Sequence, residues 1–161
     1  MYNDNPINQY SIPINVEKTN LSTIYTFNPS DSNKGRLFMP VYNKELPLKF
    51  KTGFVYVVKF FERDNTAGNH YHEIKKELLI PLSGEFKVHL EDITTKEKEE
   101  RIFLSSEDKA MYIKPLVAHR VISKEDTGLL LVLASIPSMP NDEIRYMGGW
   151  ITIFLVKLIL K

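Results

Sequence analysis

"GNHYHEIKKELLIPLSGEF", Gly68 to Phe86, decides how this chain is to be read. Side chains along a strand alternate between faces, so on an extended segment His70 and His72 point the same way and Tyr71 points opposite. The polar "EIKK" that follows has the character of a turn, and a turn there brings Glu77 in from the neighbouring strand beside both imidazoles. "SGE" at 83–85 reads as a tight hairpin, with Gly84 supplying the positive backbone angle such turns need. In "EFKVHLE" Phe86, Val88 and Leu90 share one face. Glu85, Lys87, His89 and Glu91 share the other, which makes that face solvated and His89 a surface residue.

Working outward, short runs rich in β-branched and aromatic residues recur between turn signals. Strands are expected at 22–27, 35–41, 53–61, 77–82, 85–92, 100–105, 110–113, 119–123 and 129–135. The charged "ITTKEKEE" (93–100) reads as a solvated hairpin tip, and no segment before residue 136 has a long amphipathic helical pattern. The expectation is an all-β sandwich or small barrel over residues 21–146. An Asn- and Pro-rich irregular arm (1–20) precedes it, and an apolar tail (147–161) follows.

Composition narrows the chemistry. Twenty-one basic against twenty acidic residues leave a net charge of +1, no basis for non-specific nucleic-acid binding. The absence of cysteine excludes disulfides, thiolate metal sites and cysteine nucleophiles. No basic region followed by an apolar core opens the chain, so a cytoplasmic protein without a secretory signal is expected. "WITIFLVKLILK" (150–161) falls short of the roughly 20 apolar residues a spanning helix needs, and reads as a buried or dimer-covered segment, with a membrane-surface contact as the alternative.

A further imidazole, His119, follows Pro115, where one strand breaks and another begins; it can reach the same interior from across the barrel. Arg120 alternates away from it. With these residues placed, "GNHYHEIKKELLIPLSGEF" resembles the first cupin motif at Gly68, His70, His72, Glu77 and Gly84. "SSEDKAMYIKPLVAHRVIS" resembles the second at Pro115 and His119, without its usual glycine. The resemblance implies a jelly-roll β-barrel with these side chains facing inward, usually paired as a homodimer.

A narrower resemblance covers about residues 30–146. "SNKGRLFMP" looks like the opening of the WxcM-like sugar-nucleotide cupins, which include dTDP-4-keto-6-deoxyglucose 3,4-ketoisomerases, and "GFVYVVKFF" fits their aromatic strand. Leu133, Ala134, Ser135, Asp142, Ile144, Arg145 and Tyr146 are similar to their characteristic ending. Two positions depart from the pattern: Ala67 stands where those enzymes usually carry arginine, and Glu77 where they commonly carry glutamine. "GNHYH" also looks like the metal-containing cupin domain of bifunctional capsule-sugar reductases.

The resemblance implies isomerisation or epimerisation of a dTDP-linked 4-keto-6-deoxyhexose, for cell-surface polysaccharide synthesis. Protons beside a carbonyl are acidified, and imidazole can remove and return them near neutrality. On this reading His72 is the base and His70 its orienting or proton-donating partner, with Tyr56 a weaker acid candidate. Arg36 and His119 bind the nucleotide-diphosphate sugar, and no cofactor is required. The other reading makes His70, His72, Glu77 and His119 ligands of a divalent Zn, Fe, Ni or Mn ion. A ligating imidazole is no longer a free base, so proton transfer would then pass to Tyr56 or Tyr112. A metal-binding or sugar-binding cupin without isomerase activity is the alternative function.

Overall fold

The structure, a computed structural model, describes residues 15–27, 30–31, 37–38, 51–146 and 148. Arg36, most of the strand expected at 35–41, the start of the N-terminal arm and nearly all of the apolar tail lie outside the described residues.

Thirteen strands are described: β1 (Asn15–Lys18), β2 (Ser22–Thr26), β3 (Ser30–Asp31), β4 (Leu37–Phe38), β5 (Phe54–Phe60), β6 (Thr66–His72), β7 (Glu77–Ser83), β8 (Glu85–Asp92), β9 (Lys98–Leu104), β10 (Lys109–Ile113), β11 (Val117–Ser123), β12 (Gly128–Ala134) and β13 (Glu143–Arg145). Among the described residues one 3-10 turn, Ser105–Glu107, interrupts them. One antiparallel sheet runs β1-β2-β10-β7-β12-β5 and the other β13-β6-β11-β8-β9, with β3 and β4 forming a small ribbon. The two large sheets pack face to face as a jelly roll. Their core is Leu79, Met111, Leu130, Val132 and Phe60 from the first sheet against Phe86, Val88, Leu90, Val117 and Val121 from the second.

Several expectations change. "SGE" is no hairpin: β7 belongs to the first sheet and β8 to the second, so Gly84 (φ 95°) is where the chain switches sheets. A left-handed angle suits that sharp redirection as well as it suits a hairpin, so the glycine signal alone did not distinguish them. Asn15–Lys18, inside the stretch expected to be irregular, pairs with β2. Glu91, expected on the solvated face, is buried, and the Tyr146 hydroxyl donates to its Oε1 at 2.6 Å. His89 does lie on the outer face, partly covered and beside Glu100 at 3.3 Å. Tyr112 packs with Tyr25, Leu78 and Ile80 in a second cluster on the outer face of the first sheet, away from the interior histidines.

Candidate active site

The strand that carries the histidines is irregular for a reason written in its sequence. Opposite β11, His119 pairs with His70 but Arg120 pairs with Gly68, so β6 holds an extra residue there, a β-bulge. Gly68 (φ 86°) and Asn69 (φ 61°) are both left-handed, conformations favoured by glycine and tolerated by asparagine. A side chain at Gly68 would also meet the His119 carbonyl oxygen at 2.6 Å. Because of the bulge, Ala67 and His70 both face inward although they are three positions apart; Ala67 packs against the core and His70 enters the site.

Four side chains converge: ligating atoms of His70, His72, Glu77 and His119 all lie within 4.8 Å of one another. His119 comes not from across the barrel but from β11, the strand hydrogen-bonded to β6. Glu77 comes from the facing sheet, as does Tyr56, whose hydroxyl donates to Glu77 Oε1 at 2.9 Å. The His70 ring contacts both other imidazoles edge-on, with centroids 4.7 Å apart in each case.

The turn between His72 and Glu77 is clamped by the segment after β12. Asp142 accepts backbone N–H bonds from Glu73, Ile74 and Lys75 at 2.9, 2.7 and 3.1 Å, and Ser135 Oγ accepts that of Lys76 at 3.0 Å. Tyr146 N–H donates to the Asn69 carbonyl, pinning the bulge. Ser135, Asp142 and Tyr146, read in the sequence only as a terminal pattern, thus shape the histidine strand and its turn.

Ring orientation follows from these supports. His72 Nδ1 lies 3.0 Å from the Asp142 carbonyl oxygen, an acceptor only, so Nδ1 carries the proton. In the neutral ring Nε2 is then bare; it is buried and has no hydrogen-bond partner among the described residues. His72 is 3% exposed, while His70 sits nearer the opening at 16% with Nδ1 3.5 Å from Glu143 Oε1. Burial, then the neighbouring His119 and His72, push the His70 imidazole down to about 3, and burial lowers His72 as well. Both rings are therefore neutral near pH 7. Burial favours a neutral Glu77, but His119, Lys75 and His72 outweigh it and hold the carboxyl well below the usual range. Burial and then Glu77 raise the Tyr56 hydroxyl, which makes it a poor proton donor and a better prop for the carboxylate.

Lys75 is the residue that the sequence reading missed. Its side chain is 2% exposed, and Nζ lies 3.2 Å from Glu77 Oε1 and 3.1 Å from Ser138 Oγ. The signal was its place in "EIKK" between His72 and Glu77, but two adjacent lysines in a polar turn read as solvated. The donor spacing suits a small metal ion; the charge does not. Two unit charges roughly 4 Å apart interact by about 4 kcal/mol at an effective dielectric of about 20. A divalent ion roughly 4 Å from this ammonium would meet about 8 kcal/mol of repulsion on the same scale, and the Glu77 carboxylate that would offset it is already paired with Lys75. Beside the histidines, Ser138, Met139, Pro140 and Glu143 line a cavity of about 270 Å³.

The family model described as FdtA, WxcM-like, C-terminal, matches residues 17–153. Among solved structures the chain is similar to the 3,4-ketoisomerase QdtA from Thermoanaerobacterium thermosaccharolyticum in complex with TDP-4-keto-6-deoxyglucose. Identity is 28%, 80% of this chain and 89% of that one are covered, and the TM-score is 0.66. A 3,4-ketoisomerase from Helicobacter canadensis is 25% identical over 77% of this chain and 90% of its own, with a TM-score of 0.68. The dTDP-4-dehydrorhamnose 3,5-epimerase from Bacillus anthracis shares the fold, at 14% identity, 80% and 81% coverage and a TM-score of 0.70. No curated protein sequence matches the chain.

Proposed function

The chain belongs to the FdtA, WxcM-like C-terminal family, and on that premise we propose that it is a sugar-nucleotide 3,4-ketoisomerase. Its substrate is a dTDP-linked 4-keto-6-deoxyhexose, the chemistry named for the similar QdtA complex. The observation that carries the reading is the bare, buried Nε2 of His72, beside the neutral imidazole of His70.

His72 Nε2 removes the proton from C3, beside the C4 carbonyl, and the electron pair passes to O4 as an enediolate. A proton returned to C4, and transfer of the O3 proton to O4, leave the carbonyl at C3. Nothing is oxidised or reduced overall, so the reaction needs no cofactor. His70, neutral and nearer the opening, relays the proton between the two carbons. Tyr56 holds Glu77, and Glu77 with His119 fixes the floor of the site. Arg36, outside the described residues, takes the diphosphate through bidentate contacts, and His119 is the second substrate contact.

Incubation with TDP-4-keto-6-deoxyglucose, followed by carbon NMR, tests this directly. Migration of the carbonyl signal from C4 to C3 is expected. Inversion at C3 or C5 without migration would make the chain an epimerase, and binding without turnover would make it a sugar-binding module. The reading also takes the protein as cytoplasmic, acting in cell-surface polysaccharide synthesis, and as a homodimer; exposed Val55, Val57 and Leu82 on the outer face of the first sheet favour the pairing.

A further inference from the structure

We propose that Lys75 is the resident cation of the histidine–glutamate cluster, and that its ammonium keeps divalent metal out of a site whose donors are otherwise spaced to bind one. Both oxygens of Glu77 are already engaged. Oε1 faces the Tyr56 hydroxyl at 2.9 Å and Lys75 Nζ at 3.2 Å, and Oε2 faces His119 Nε2 at 3.3 Å. The single carboxylate charge that would bind an ion most strongly is therefore neutralised from within the chain. Nor can the ammonium easily leave. Its side chain is buried, Ser138 Oγ holds it at 3.1 Å, and Nζ lies 5.9 Å from the centre of the Tyr56 ring. Withdrawing it would leave Glu77, itself 2% exposed, as a buried carboxylate without its counter-charge, which is strongly unfavourable. The backbone adds to the fixation, because Lys75 N–H is tied to Asp142.

The inference goes beyond the ketoisomerase reading and is tested without substrate. Wild-type protein and Lys75→Met, Lys75→Gln and Lys75→Arg variants are titrated with Co(II), following its visible absorption and the melting temperature. Lys75→Met and Lys75→Gln remove the charge that faces Glu77 Oε1, which keeps only the Tyr56 hydroxyl. One Co(II) per chain is expected in at least the better folded of the two, bound tighter than in wild type by on the order of a hundredfold or more. Metal should raise that variant's melting temperature and leave the wild type's unchanged. Lys75→Arg keeps the charge and should behave as wild type, and adding Glu77→Gln to Lys75→Met should abolish the gained site. Wild-type protein that binds one Co(II) per chain as tightly as the charge-removed variants would overturn the proposal. So would folded Lys75→Met and Lys75→Gln proteins that gain no affinity.

Discussion

At the scale of single residues, the site turns on where protons sit. The Asp142 carbonyl fixes the His72 proton on Nδ1, and burial keeps the ring neutral, so Nε2 holds a free lone pair near pH 7. Because both His70 and His72 are pushed below the ordinary 6.5, kcat/KM should stay flat from about pH 8 down to about pH 6. A profile half-lost at pH 6.5 would show an unperturbed histidine instead. The same shift links to stability. His70 holds its proton only near pH 3 when folded but at 6.5 when unfolded, so between these values the unfolded chain binds more protons. Its contribution is complete above pH 6.5 and falls as pH drops, by about 1.4 kcal/mol per pH unit. Urea melts of His70→Gln between pH 6.5 and 4.5 should show a shallower slope than wild type; equal slopes would count against the shift.

Elements decide whether those residues meet. The alternation of His70 and His72 was legible from spacing, and eight of the nine expected strands recur, that at 85–92 with the same ends and the other seven with shifted ones. The ninth, at 35–41, is described only over Leu37–Phe38. Strand β6 itself was read only as an extended segment, because Gly68 and Asn69 break the alternation that marks a strand. The bulge they build has a cost if filled: Gly68→Ala places a methyl against the His119 carbonyl at a left-handed angle. It should lower stability by about 2 kcal/mol and activity with it, read by denaturant unfolding. The turn after His72 depends on Asp142, a role that no local pattern announces because its partners lie about seventy residues away. Asp142→Ala removes three backbone bonds to a carboxylate and should cost about 3 kcal/mol. A melting temperature unchanged in that variant would mean the clamp is dispensable.

For the whole molecule, local pattern was a good guide to class and a poor guide to topology. Alternation and turn residues announce strands, but which sheet a strand joins depends on pairings distant in sequence. Hence β7 and β8, adjacent in the chain, were read as a hairpin and belong to different sheets, and His119 and Glu77 were assigned to each other's sides of the site. The convergence itself was legible, since inward parity and a second histidine segment were enough to bring the imidazoles to one cavity. Lys75 was not, because its burial depends on Ser138 and Asp142 folding back over the turn. At this scale the proposed homodimer has its own check. Val57→Lys on the exposed outer face should shift the sedimentation coefficient from dimer to monomer, and a monomeric wild type would remove that part of the account.

The most direct test of the central claim is solvent exchange at C3 and C4. TDP-4-keto-6-deoxyglucose is incubated in deuterium oxide with wild-type protein and with His72→Asn, and deuterium beside the carbonyl is followed by NMR. Wild-type protein should incorporate deuterium at C4 of the 3-keto product and at C3 of 4-keto sugar that returns from the enediolate. His72→Asn, still binding the nucleotide sugar, should be slower by about 10²–10⁴-fold. Exchange at the wild-type rate in a folded His72→Asn protein would contradict the assignment of His72 as the base.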